Sequence, residues 1–222
     1  MKILVTGACG YQGSLLVPRL LKNQIKVVAL DTQWFGNYLP KDKNLKLIKK
    51  NIIDINQKDL NGVNIIIHLA SIANDPMGDL VKNKTWEYSC IGTMKLMECA
   101  VKEGVEKIIF ASSSSVYGIK KENKVTENLE LTPISIYNKA KMITERIILS
   151  YSDRIDSTII RPASVCGISP RMRFDVSVNM MTYQALKNSE ITVFGGQQTR
   201  PNIHIDDLLD IYIFFLKSKK KN

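Results

Sequence analysis

The sequence predicts an α/β protein built on a doubly wound parallel sheet, and three observations carry that prediction. Short, almost wholly apolar runs alternate with longer segments whose apolar residues recur at helical spacing. The first run, Ile3-Leu4-Val5, leads straight into Thr6-Gly7-Ala8-Cys9-Gly10-Tyr11-Gln12-Gly13, with a glycine at every third position from Gly7. The second run, Lys26-Val27-Val28-Ala29-Leu30, ends in an acidic residue, Asp31. Strands covered on both faces lose the alternation of a half-exposed strand. Continuous apolar runs between helices therefore imply a parallel sheet with helices on both sides.

Each element follows in order. Strand 3–5 comes first, then the glycine-rich turn and a helix over 13–21, then strand 27–30. Residues 32–40 read as a loop before a short strand at 45–48. Ile52-Ile53-Asp54 and a turn lead to the fully apolar strand 63–69. Residues 86–103 read as one long helix, with Ile91, Met94, Met97 and Val101 at helical spacing and Gly104 as its cap. Strand 107–111, a long helix over 135–151 and strand 157–160 continue the alternation. No internal repeat or low-complexity linker precedes the lysine-rich tail.

With 222 residues, 45% of them hydrophobic, the chain can bury a large core and is expected to form one domain or slightly more. The net charge of +10 raises the question of nucleic acid. Yet Lys217, Lys219, Lys220 and Lys221 form a tail, and the other lysines are scattered without aromatic interleaving or a basic stripe. Solvated faces with a modest attraction for anionic substrates are expected, not a nucleic-acid surface. Cys9, Cys90, Cys99 and Cys166 lie far apart and only His68 and His204 are present, so reduced thiols and no histidine-rich metal site are expected. Cysteine usage fits a cytoplasmic protein. With a first strand expected at residue 3, no signal peptide is expected, and the late apolar run 211–216 is too short to span a bilayer.

The glycines carry chemistry as well as shape. A backbone that turns sharply can approach a pyrophosphate closely, and the following helix offers free N–H groups and the positive end of its dipole. Such a triplet alone is also an ordinary strand-to-helix turn. The strand before it and Asp31, placed to bond both hydroxyls of an adenosine ribose, point to a dinucleotide. Tyr137 and Lys141 stand four apart on a helix and share a face. An ammonium nearby favours the phenolate, which lets a tyrosine act as a base. The pair taken alone also fits an ordinary helix surface. Upstream, Ser112-Ser113-Ser114-Ser115 ends a strand where open α/β sheets bind ligands. A serine there can hold a substrate hydroxyl against the tyrosine, although a serine run is also a plain polar loop.

These motifs, with Val116-Tyr117-Gly118 after the serines and Arg161-Pro162-Ala163 further on, resemble the extended short-chain dehydrogenase/reductases. Within them the chain is most similar to the NAD-dependent nucleotide-sugar epimerases and dehydratases, from Lys2 to about Tyr212. The resemblance implies a Rossmann fold, with an NAD-binding domain over 1–164 and a partial substrate-binding region over 165–222. It implies that Gly7, Gly10, Tyr11, Gln12 and Gly13 hold the pyrophosphate and Asp31 the adenosine ribose. Asp54 and Ile55 would lie by the adenine, and Leu69, Ala70, Ser71 and Pro162 would line the nicotinamide side. Ser113 would be the catalytic hydroxyl, Tyr137 the base, and Lys141 its partner on the nicotinamide ribose. Ser114, Asn179 and Arg200 would contact a nucleotide-sugar substrate, with Arg200 clamping the diphosphate as a planar fork of donors. A surface ion pair is the plainer role for Arg200, and Arg171 and Arg173 are electropositive candidates without an assigned role.

The departures from that pattern sharpen the expected chemistry. Ser114-Ser115 stand where dehydratases of the family place an Asp-Glu pair, so epimerisation or simple oxidation fits better than loss of water. Ser89 replaces a common asparagine, and Ser164-Val165-Cys166 replaces Asn-x-Tyr, which leaves the sugar unassigned. The chain stops at Asn222, short of typical members, as a truncated gene or a reduced natural form would. The expected activity is NAD-linked oxidation or epimerisation at a sugar hydroxyl carbon, C4 by resemblance. The alternatives are a reductase or dehydrogenase of another sugar or small alcohol, and a non-catalytic NAD-binding protein. NAD is expected over NADP, because Asp31 repels a 2′-phosphate and Thr32-Gln33-Trp34 offers no arginine. A homodimer is expected through helices 86–103 and 135–151, using Met94, Met97, Ile143 and Ile147.

Overall fold

The computed structural model describes residues 1–122 and 124–218; Lys219, Lys220 and Lys221 of the basic tail lie outside the described residues. Six strands, β1 (Lys2–Thr6), β2 (Lys26–Asp31), β3 (Leu45–Lys49), β4 (Ile65–His68), β5 (Lys107–Ala111) and β6 (Asp156–Ile160), form one sheet. They are all parallel, in the order β3-β2-β1-β4-β5-β6. Strand order reverses between β1 and β4, so a crevice opens at their carboxyl ends, the place where such sheets take ligands. Register puts Thr6 beside both Leu30 and His68, and His68 beside Phe110.

Alternation along each strand builds two cores. Ile3, Val5, Ile67 and Ile109 face α1 (Gly13–Lys22) and α7 (Ile205–Lys217), packing with Leu16, Leu20, Leu208 and Tyr212. Leu4, Ile66, Ile108 and Phe110 face α4 (Gly92–Lys102) and α5 (Ile136–Leu149), meeting Leu96, Met97, Ala100 and Ile148. Burial on both faces explains why these strands read as unbroken apolar runs.

The structure corrects the expected single helix over 86–103. The segment after β4 forms α2 (Asp75–Leu80), α3 (Lys82–Trp86), a widened π turn at Glu87–Ile91 and then α4. The Ser89 carbonyl in that turn accepts the hydroxyls of Thr93 and Thr144, so side chains compete with the regular backbone ladder there. Met97, expected on an outer face, is wholly buried in its own core; Met94 and Ile143 are exposed and Ile147 is half-buried.

Beyond residue 163 the chain adds β7 (Ser164–Cys166), α6 (Ser177–Asn188) and β8 (Asn202–His204), with β7 and β8 paired in a small parallel sheet. The sequence pattern assigns none of them, because Val178, Tyr183 and Leu186 are exposed on α6 and blur its amphipathic face. Helix α7 then returns to the main sheet. Among the described residues no helix is long and apolar enough to cross a membrane.

Candidate active site

The glycine turn is shaped by contacts that exclude side chains. Gly7 has a φ of 69°, and a Cβ there would sit 2.8 Å from the Ala70 nitrogen. A Cβ on Gly13 would sit 2.5 Å from the Gly7 carbonyl oxygen. Gly10 N–H donates to Gly7 O at 3.1 Å, while the N–H groups of Tyr11, Gln12 and Gly13 make no hydrogen bond among the described residues. Unpaired donors at the positive end of α1 form an anion cradle, which fits a pyrophosphate. The side chains of Tyr11 and Gln12 serve the fold instead. Tyr11 Oη donates to Gly167 O at 2.8 Å, and Gln12 Oε1 accepts from the buried Tyr212 Oη at 2.8 Å.

Asp31 ends β2 and ties two loops together. Its Oδ2 accepts from Cys9 N at 3.0 Å and its Oδ1 from Gln33 N at 2.6 Å. Burial, helped by the Asp31 charge, pushes the Cys9 thiol up to about 12, so it stays protonated. Beside the end of β2, Asp54 joins Thr32, Trp34, Lys49, Lys50 and Asn51 around an open cavity of about 530 Å³, while Ile55 is buried. Leu69, Ala70 and Ser71 follow β4 half-buried, held by Leu69 N to Thr6 O (3.1 Å) and Ala70 N to Thr6 Oγ1 (3.2 Å). His68 is buried between Thr6 Oγ1 (2.6 Å) and Thr93 Oγ1 (2.9 Å). Burial, with the Lys141 charge, lowers its pKa to about 3, so it is a neutral core histidine.

Tyr137 lies in the first turn of α5. Ser135 caps that helix, its Oγ accepting from Asn138 N at 3.1 Å and donating to Asp75. Gly78 of α2 closes on the tyrosine: a Cβ there would be 2.9 Å from Tyr137 Cβ. The Ser113 hydroxyl bonds that of Tyr137 and lies 2.7 Å from Ser115 Oγ, which donates to Asn138 Oδ1 at 2.6 Å. Burial raises the Tyr137 pKa, while the Arg173 charge and the Ser113 hydrogen bond act against the rise. Lys141 is buried, donates to Ala111 O at 2.7 Å, and sits 5.8 Å from the Tyr137 ring centroid. Burial lowers its pKa to about 7. The expected pull of Lys141 on the tyrosine is thus modified, since this amine half-discharges near neutrality. Arg173, paired with Asp175 at 2.9 and 2.7 Å, is the lasting cation facing Tyr137.

One group escapes the sequence pattern. Glu145, one turn beyond Lys141, is almost wholly buried and accepts from Ser112, from Arg161 Nε (2.9 Å) and from Arg161 Nη2 (2.7 Å). Arg161 Nη1 also donates to Tyr117 Oη at 2.7 Å. This network joins α5 to the ends of β5 and β6, and so fixes the distance between Tyr137 and the serine turn. The one signal for it in the sequence is the spacing of Glu145 from Lys141 on one helix face.

The substrate candidates are placed unevenly. Ser114 is half-buried beside Ser113, with its N–H held by Pro162 O at 2.9 Å. Asn179 is buried and engaged: Oδ1 accepts from Gly167 N at 3.0 Å, and Nδ2 donates to Tyr11 Oη (3.2 Å) and Arg173 O (3.0 Å). Arg200 is exposed just before β8, and its guanidinium makes no hydrogen bond or ion pair among the described residues.

Fold and site together define an extended short-chain dehydrogenase/reductase. The chain belongs to the NAD dependent epimerase/dehydratase family, whose profile matches residues 3–222. It is 33% identical over 232 residues to an uncharacterized UDP-glucose epimerase of Bacillus subtilis, covering 93% of this chain and 70% of that one. It is 28% identical over 247 residues to the UDP-glucose 4-epimerase of Lactobacillus helveticus, covering 100% of this chain and 73% of the relative. The UDP-glucuronic acid 4-epimerase of Bacillus cereus, solved with UDP-glucuronic acid and NAD, superposes with a TM-score of 0.87 at 30% identity. That match covers 99% of this chain and 74% of the other.

Proposed function

We propose that the protein is an NAD-dependent epimerase acting at C4 of a UDP-sugar. The observation that carries this reading is the grouping of Ser113, Tyr137 and Lys141 at the end of β5, beside the anion cradle of the glycine turn. Ser114 and Ser115 in place of a carboxylate pair favour epimerisation over dehydration. Bound NAD would supply the hydride acceptor and donor for the sugar carbon. The cradle of Gly7, Gly10 and Gly13 with the N–H groups of Tyr11 and Gln12 would hold its pyrophosphate, and Asp31 its adenosine ribose. Asp54 and Ile55 would flank the adenine; Leu69, Ala70, Ser71 and Pro162 would face the nicotinamide. Tyr137 takes the hydroxyl proton, Ser113 orients that hydroxyl, and Lys141 supports the phenolate and the ribose.

Residues 1–164 form the cofactor half of this reading and 165–222 a partial substrate region. The unpaired guanidinium of Arg200 suits a diphosphate. Ser114 faces the sugar, and Asn179 reaches the substrate only by giving up bonds it now makes within the protein. Exposed Ile91, Met94 and Ile143 on the outer side of the α4–α5 region favour a homodimer. Four free cysteines suit the reducing cytoplasm.

The test is to mix the purified protein with NAD and single UDP-sugars and follow NADH absorbance and C4 configuration. Interconversion of C4 epimers with no net NADH supports the proposal. Stoichiometric NADH with an oxidised sugar makes the protein a dehydrogenase instead, and absence of NAD binding refutes both. NAD is expected to bind at least about tenfold tighter than NADP because of Asp31.

A further inference from the structure

We propose that Arg171 is the second wall of a diphosphate site whose first wall is the glycine turn, and that it binds the pyrophosphate of a dinucleotide. The inference rests on the reading of that turn as a cofactor cradle. Arg171 follows β7 in a segment tied to the first turn of α1. Ser169 Oγ donates to Tyr11 O at 2.8 Å and lies 2.9 Å from Ser14 Oγ, and Gly167 O accepts from Tyr11 Oη. The Arg171 guanidinium lies over the Phe35 ring, 3.8 Å from its centroid. Phe35 belongs to the loop after Asp31. That loop is joined to the glycine turn from its other side, through Asp31 to Cys9 N and through Asn37 Oδ1 to Cys9 Sγ at 3.6 Å. Arg171 therefore bridges the two segments that flank the unpaired N–H groups of Tyr11, Gln12 and Gly13.

The guanidinium is short of partners. Its Nε is buried without a hydrogen bond among the described residues, and Nη1 has only Met172 O at 3.4 Å. No carboxylate among the described residues forms an ion pair with it, whereas Arg173 is paired with Asp175 at 2.7 Å. Burial and the Arg173 charge lower the Arg171 pKa, with the Asp175, Tyr38 and Asp31 charges acting against them. A guanidinium stays charged all the same. Desolvated donors without acceptors cost stability until something fills them. Three positive features thus meet at one place: a helix N-terminus, unpaired backbone donors, and two arginines of which one lacks a counter-ion. A pyrophosphate offers acceptors and charge to all three, and a planar fork of donors suits it. A guanidinium stacked by its face keeps its N–H edge for hydrogen bonds, and the Phe35 ring orders it in advance.

The test is calorimetric titration with ADP-ribose, which carries the pyrophosphate without the nicotinamide, and in parallel with UDP. In Arg171→Met the affinity for ADP-ribose falls about ten- to a hundredfold while that for UDP holds. The ligand-free variant melts at or above wild type, because a buried donor without an acceptor is gone. Phe35→Leu alters an exposed side chain and covers the case that Arg171→Met fails to fold; it weakens ADP-ribose about two- to fivefold by freeing the fork. Unchanged ADP-ribose affinity in Arg171→Met overturns the proposal. A fall confined to UDP assigns Arg171 to the diphosphate of the substrate and overturns it too. Wild-type protein that does not bind ADP-ribose removes the cofactor reading and this inference together, whereas wild-type binding with an unaffected variant removes this inference alone.

Discussion

Replacing Lys141 with methionine is expected to make the protein more stable and less able to work. The ammonium is buried at 4% exposure, with one hydrogen bond to Ala111 O, and burial brings its pKa from 10.5 to about 7. The unfolded chain therefore holds a proton at pH 7 that the folded chain half releases. By linkage that mismatch costs about 4 kcal/mol of stability at pH 7. Methionine keeps the aliphatic stem and removes the charge, but it leaves the Ala111 carbonyl without its donor, a loss of about 1–3 kcal/mol. The net gain is about 2 kcal/mol, or about 4–8 °C in Tm for a chain of this size. The folded pKa is depressed, so the cost is complete below pH 7 and fades as pH rises from 7 to 10.5. The advantage of the variant should shrink across that window and reverse at its upper end, where only the lost hydrogen bond remains. Urea unfolding of the NAD-free proteins at pH 7 and pH 10 measures both values. A variant less stable than wild type at pH 7, or an advantage unchanged at pH 10, refutes the reasoning. On the proposed reading, in which one amine would serve both the ribose and the tyrosine, Lys141→Met should also weaken NAD binding and turnover together.

Tyr137→Phe keeps the ring against Gly78 and removes only the ionisable oxygen; NAD affinity by fluorescence titration should hold while kcat falls about a hundredfold or more. Arg161→Met strands the buried Glu145 carboxylate and should cost about 3–5 kcal/mol at pH 7. Gly13→Ala drives a Cβ to 2.5 Å from the Gly7 oxygen, so calorimetry should show NAD affinity at least about tenfold weaker, with about 1–3 kcal/mol of stability lost.

Strands and the glycine turn were legible in the sequence because local rules govern them. Ile65-Ile66-Ile67 is apolar throughout since both its faces are covered, and Gly7 and Gly13 are glycine since neighbouring backbone occupies the space of a Cβ. That Tyr137 and Lys141 share one face of α5 was legible through helical spacing. What surrounds them was not. Arg173 faces Tyr137 from a loop beyond β7, and Glu145 is neutralised by Arg161 on another element, pairings that no local period encodes. The break at residues 87–91 was hidden for a related reason, because Thr144 on a different helix supplies one of the hydroxyls that Ser89 accepts. Asn179 looked like a substrate ligand by position, yet its amide is engaged by groups remote in sequence, Tyr11 among them.

The bond from Tyr212 to Gln12 spans 200 residues and joins α7 to the first turn of the chain. During synthesis the glycine turn leaves the ribosome early and waits. At about 5–20 residues per second, its partner follows roughly 10–40 seconds later. Through that interval Gln12 lacks its buried partner, and the core that α7 completes against β1 and α1 stays open to water. Loop closure over such a separation comes late and makes folding slow. A nascent chain therefore carries its glycine turn long before α7 arrives to close the core beside it.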